Sequence, residues 1–221
     1  MSGSEQSAPL AIFGGTFNPV HYGHLRSALE LVEHIALAEC RLMPSAQPPH
    51  RDVPVCSAEH RAAMVELAVQ GEPSLVCDRR ELERDGPSFT VDSLRDLRRE
   101  EGEHRSLIMV IGCDALLGLP GWHRWESLLE YAHVLVIARP GWSLPATGDI
   151  AAWLDEHQTT EVETLKKQPA GKVYIEALRP LDISATEIRR LLESGKSARY
   201  LLPEQVLDYI DTHQLYRQEP N

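Results

Sequence analysis

Two histidines three residues apart, in a turn that opens with two glycines, are the residues of this chain best suited to chemistry. The stretch Gly14-Gly15-Thr16-Phe17-Asn18-Pro19-Val20-His21-Tyr22-Gly23-His24 follows the short apolar run 10–13 and precedes an apolar-periodic run that begins at Leu25. Strand, glycine turn and helix in that order form a place where backbone N–H groups and a positive dipole end receive phosphate. Positions three apart at a helix start share a face, so His21 and His24 can address one ligand. The turn lacks the lysine of a Walker loop and the G-x-G-x-x-G spacing of a dinucleotide fold. Three uses remain for the pair: hydrogen bonds to phosphate oxygens, capping and packing, or zinc ligation, for which no third ligand stands nearby in sequence. The expectation is the first.

A second constellation lies far along the chain, at Ile183-Ser184-Ala185-Thr186-Glu187-Ile188-Arg189-Arg190. Ser184 with Glu187 three residues later reads as a capping box, which is also how an ordinary helix begins. Arg189 falls in the second turn, close to the face that carries Thr186, and can reach an anion held at that helix start.

The elements that must position these groups follow from the hydrophobic pattern. Strand-like runs occur at 10–13, 41–43, 74–77, 107–111, 133–138 and 173–177. Helical patterns lie between and after them, near 23–36, 58–69, 90–99, 125–131 and 149–157, then 184–193 closed by Gly195, and a last helix opened by Pro203. Short apolar strands with interleaved helices imply a Rossmann-like, doubly wound parallel sheet covered on both faces, an α/β fold. Residues 45–56, with three prolines, and 140–148 read as loops. The first follows a strand, at the end where open parallel sheets bind ligands. Residues 1–9 read as a frayed tail and 10–217 as one domain.

Composition narrows the partners. Formal net charge is −11 and the basic residues are scattered, so no face suits nucleic acid. No run approaches the length of a membrane span. Cys40, Cys56, Cys77 and Cys113 are widely spaced and read as reduced thiols of a cytoplasmic protein. Composition leaves a homo-oligomer open.

With both motifs in view, the chain resembles the nucleotidyltransferase superfamily and, within it, the bacterial nicotinate-nucleotide adenylyltransferases. The resemblance runs from Leu10 to Tyr216, and it draws also on Pro48-Pro49-His50-Arg51, Arg79-Arg80-Glu81-Leu82, Pro87-Ser88-Phe89-Thr90, Ile111-Gly112-Cys113-Asp114, Gly121-Trp122 and Gln168-Pro169-Ala170-Gly171-Lys172. It implies transfer of the adenylyl group of ATP to nicotinate mononucleotide, with Mg²⁺ delivered by the ATP. Gly14, Gly15, Thr16, Phe17 and Ile183 would then border the nucleotide, Gly14 and Gly15 because a Cβ there would meet the triphosphate. His21 and His24 would donate to phosphate oxygens, while Ser184, Thr186 and Arg189 would hold the β and γ phosphates.

On the acceptor side the resemblance implies that Trp122 stacks on the pyridine and that Ser88, Phe89 and Thr90 donate to the carboxylate. Ordinary capping of the next helix by Ser88 is the alternative. His50 and Arg51 would meet the mononucleotide phosphate, and Asp114 with Gly112 a ribose. Phe89 stands where a tyrosine would equally be expected, so no hydroxyl is offered there. Rival readings keep the reaction and change the acceptor to nicotinamide mononucleotide or phosphopantetheine, or keep the fold without catalysis. A synthetase-like enzyme acting on tRNA fits an acidic chain of this length least.

Overall fold

The computed structural model describes residues 7–46, 55–84, 86–138, 141–179 and 181–217. Six strands form one sheet: β1 (Leu10–Gly15), β2 (Glu39–Pro44), β3 (Leu75–Cys77), β4 (Leu107–Gly112), β5 (His133–Ile137) and β6 (Val173–Glu176). Their order is β3-β2-β1-β4-β5-β6, and every neighbouring pair is parallel. All six expected strands are present, within a residue or two of the expected ends. The chain winds outward from β1 through β2 to β3, then crosses back to place β4 on the other side of β1. A crevice therefore opens between the C-terminal ends of β1 and β4.

Strand alternation supplies two cores. Leu10 and Ile12 of β1, Leu107, Met109 and Ile111 of β4, and Val134 and Val136 of β5 face one side. Ala11, Ile108, Val110, Leu135 and Ile137 face the other. This is the period of two that a pleated strand imposes. Over the first side pack α3 (Thr90–Glu101), α5 (Leu128–Tyr131) and α6 (Asp149–His157), through Leu94, Leu97, Leu128 and Trp153 among others. Over the second pack α1 (Tyr22–Ile35), α2 (Ala58–Val69), α8 (Ala185–Glu193) and α9 (Glu204–Thr212). In α1 the buried Leu25, Ala28, Leu31 and Ile35 repeat at three- and four-residue steps, the stripe of a helix lying on a sheet.

Several details differ from expectation. Two short helices, α4 (Cys113–Leu117) and α7 (Val162–Lys167), were not anticipated; each is too short for a period to emerge. The expected helix at 125–131 starts instead as a 3₁₀ turn, Trp125–Ser127, before α5. The start of the chain is not wholly a frayed tail, because Pro9 accepts from the Ala38 N–H at 2.8 Å and Ala8 from Arg105 Nε at 3.2 Å. Among the described residues no helix is long and apolar enough to cross a membrane, and the four cysteines are free thiols.

His133 at the start of β5 is fully buried. Its Nε2 lies 2.8 Å from the Gln168 carbonyl and must donate, while Nδ1 accepts from the Lys172 N–H at 3.1 Å. Both nitrogens are satisfied only in the neutral ring. Burial, with the Arg98 and Lys172 charges, lowers its pKa to about 4. The unfolded ring binds a proton near pH 6.5 and the folded one does not, so this stability is complete above about 6.5 and lost as pH falls towards 4. At roughly 1.4 kcal/mol per pH unit, the loss at pH 5 is about 2 kcal/mol. The stability gap between the natural protein and His133→Gln, measured by urea unfolding, should narrow by about that amount from pH 7 to pH 5. A gap independent of pH would contradict the assignment.

Candidate active site

The crevice between β1 and β4 is the mouth of an open cavity of about 1380 Å³. Pockets that take one drug-sized ligand measure roughly 300–1,000 Å³, so this space exceeds what a single such ligand needs. Every site residue expected from sequence that lies among the described residues lines it, from Gly14 and His24 at one end of the chain to Ser184 and Arg189 at the other. His50 and Arg51 lie outside the described residues.

The phosphate-type half is built on the turn after β1. Gly15 allows the turn to close, since a Cβ there would stand 2.9 Å from Phe17 Cζ. A Cβ on Gly14 meets no protein atom within 4 Å. Phe17 holds a left-handed φ of 48°, a conformation that costs a non-glycine residue and persists only where its surroundings impose it. Its buried ring stands edge-on to His24, with centroids 5.0 Å apart. His21 and His24 are stacked, centroids 3.7 Å apart. Gly23 makes room for this, because a Cβ on it would come to 3.0 Å from the His21 ring.

Burial lowers His21 to about 4; burial and then the His21 charge lower His24 to about 3. Both rings are therefore neutral at pH 7. His24 Nδ1 accepts from the His21 N–H at 3.3 Å, which puts the His24 proton on Nε2 and makes that nitrogen a donor. His21 Nδ1 is buried without a partner. Among the described residues no three His, Cys, Asp or Glu side chains are grouped to hold a metal.

Arg189, far away in sequence, meets this turn. Its Nη1 donates to the Asn18 carbonyl at 2.7 Å and its Nη2 lies 3.4 Å from Thr186 Oγ1. Ser184 caps α8 by accepting from the Glu187 N–H at 3.2 Å, as its position in sequence implied. α1 and α8 thus both begin at the cavity, so two positive dipole ends face one space.

The other half of the cavity is lined by Ser88, Phe89, Thr90, Trp122 and His123. Ser88 is not a helix cap. The capping position of α3 is Phe89, which offers no side-chain acceptor, and the Ser88 hydroxyl instead donates to the Glu81 carbonyl at 3.5 Å. The ring of His123 lies 4.4 Å from that of Phe89. Gly112 is the capping residue of α4 and Asp114 sits in its first turn, placing both at the switch point.

A family model described as cytidylyltransferase-like matches residues 12–191. A Pseudomonas putida protein named "Probable nicotinate-nucleotide adenylyltransferase" is 49% identical over 98% of this chain and 99% of its own. An Aeromonas hydrophila protein of the same name is 47% identical over 95% and 97%. The chain belongs to the nicotinate-nucleotide adenylyltransferase family. Its fold is shared by the Plasmodium falciparum nicotinic acid mononucleotide adenylyltransferase solved in complex with NaAD, with a TM-score of 0.69 at 17% identity over 95% of this chain and 97% of that one.

Three residues at this adenylyltransferase site were given no role from sequence. Arg61 is 1% exposed and donates to the carbonyls of Thr16 at 2.7 Å, Ser45 at 2.6 Å, Ala46 at 3.3 Å and Cys56 at 3.3 Å. It fastens the phosphate-type turn to both flanks of the segment 47–54. The signal was present, since Arg61 shares a helix face with the buried Met64 and Val65. Glu81 is buried beside the cavity, where burial holds its carboxyl above the usual range and Ser93 Oγ donates to it at 3.1 Å. His123 follows Trp122 directly and had no pattern to mark it.

In the nucleotide-free protein, ¹⁵N NMR of the imidazoles should show His24 neutral at pH 6 with its proton on Nε2. A charged ring at that pH, or a proton on Nδ1, would overturn the donor geometry.

Proposed function

We propose that this protein transfers the adenylyl group of ATP to nicotinate mononucleotide, giving deamido-NAD and pyrophosphate, a step of NAD biosynthesis. The observation that carries the reading is the convergence of the glycine–histidine turn, the α8 start with Arg189, and the aromatic half of the cavity on one space. The acceptor's phosphate is already ionised, so the protein need not supply a general base. An oxygen of that phosphate forms the new bond to the α-phosphorus while the bond to the pyrophosphate oxygen breaks. Catalysis then consists of alignment and of donors aimed at the charge that shifts onto the leaving pyrophosphate.

Neutral imidazoles suit this task. They donate N–H groups without demanding a proton, and a buried donor acts through a lower dielectric than water provides. In this reading His24 serves the transferred phosphoryl, His21 assists it, and Ser184, Thr186 and Arg189 take the β and γ phosphates. Mg²⁺ enters as part of the metal–nucleotide substrate and shares the charge.

For the acceptor, Trp122 stacks on the pyridine and Asp114 accepts from a ribose hydroxyl. The N–H groups that open α3 at Phe89 and Thr90 meet the nicotinate carboxylate. Such donors favour a carboxylate over an amide. The setting is cytoplasmic and the substrates are small molecules.

Pyrophosphate release with ATP and Mg²⁺ should be measured side by side with nicotinate and nicotinamide mononucleotides. The acid should win in kcat/KM by about 10²-fold, the ratio that about 2–3 kcal/mol of charge-assisted hydrogen bonding supplies. Equal values would remove the carboxylate assignment, and no release from either acceptor would remove the reaction.

A further inference from the structure

The geometry points to Tyr216, near the end of the described chain and outside the cavity, as a positioning residue for the turn that grips the triphosphate. Its hydroxyl donates to Asn18 Oδ1 at 2.6 Å, a buried pair separated by 198 residues. The carbonyl of the same Asn18 accepts Arg189 Nη1 at 2.7 Å. Phe17, its neighbour, holds the left-handed φ of 48° and sets its ring edge against His24. Asn18 is thus the joint through which the α9 end of the chain reaches both the guanidinium and the imidazole pair.

The turn is restrained from two further directions, by Arg61 on the Thr16 carbonyl and by Arg189 itself. Only Tyr216 acts on the Asn18 side chain among the described contacts. The phenol is 6% exposed, and burial pushes its pKa up, so it remains a donor at any working pH. Without that hydroxyl, the Asn18 amide is free to turn over, and the Asn18–Arg189 contact loosens with it. Misplacement of catalytic groups by a fraction of an ångström reduces turnover while leaving distant binding contacts intact.

This proposal rests on the adenylyl-transfer reading for its kinetic arm and on the geometry alone for its spectroscopic arm. Tyr216→Phe keeps the ring and removes only the hydroxyl. In the full chain it should lower kcat about tenfold or more, leave KM for nicotinate mononucleotide unchanged, and shift the His24 ¹⁵N resonances of the nucleotide-free protein. Asn18→Ala should do the same, and the double variant should be no worse than Asn18→Ala alone, because both changes cut the link to Asn18, while the phenol's second partner, the Cys56 thiol, is no part of the turn.

Unchanged kcat and unchanged His24 resonances in Tyr216→Phe would overturn the proposal. So would a lowered melting temperature with normal kinetics, or additive losses in the double variant. If the natural protein itself releases no pyrophosphate, the functional reading fails instead, and the His24 resonances still decide the link. Should Tyr216→Phe not fold, Asn18→Ala read by the same resonances takes its place, and an unmoved His24 there would equally overturn it.

Discussion

A polyphosphate can be held by an acidic protein only where donors are concentrated, and the parallel sheet concentrates them by direction alone. Each strand ends where the following helix begins, so helix N-termini gather along one edge of the sheet. At the point where β1 and β4 diverge, no crossover covers that edge. Here α1 and α8 start on one side and α3 on the other, around a single cavity. A chain of net charge −11 therefore offers a local positive potential without a basic face. The rest of the site refines this arrangement.

The refinement is unusual in using groups without formal charge where a phosphate is expected. Burial keeps His21 and His24 neutral, and the stacked pair is fixed by Gly23 on one side and Phe17 on the other. The buried cation Arg61 is given over to four backbone carbonyls and not to a ligand. Burying an arginine in this way is costly unless its donors are satisfied, and here its planar fork spans three chain segments, at Thr16, at Ser45 and Ala46, and at Cys56. The charge is used to hold loops in register with the turn. Arg189 combines both uses, touching the Asn18 carbonyl while lining the cavity.

Much of this was legible in the sequence because periodicity and glycine turns are local signals. The six strands and the long helices announced themselves through alternation at two and at three to four residues. The two end motifs marked the same site because their residue types made sense only together. Short elements were not legible: α4 has five residues and α7 six, below the length at which a period appears. Ser88 resembled a cap from its place before α3, yet a tertiary partner, the Glu81 carbonyl, took its hydroxyl. Tyr216 and Asn18 meet across 198 residues, and no local pattern encodes such a contact. Arg61 was visible as a charge on an apolar helix face, but its four acceptors come from the folded loops.

Relatives near half identity span almost the full chain, while the Plasmodium falciparum enzyme keeps the fold at 17% identity. The sheet's geometry thus tolerates wide sequence change. The central claim is that the histidine turn and the late arginine grip one triphosphate, and a crystal structure with a non-hydrolysable ATP analogue and Mg²⁺ tests it most directly. The account predicts phosphate oxygens within hydrogen-bonding distance of His24 Nε2 and of the α8 start, with Arg189 on the same triphosphate. A triphosphate lying elsewhere, with the imidazoles and the guanidinium directed at separate places, would contradict it.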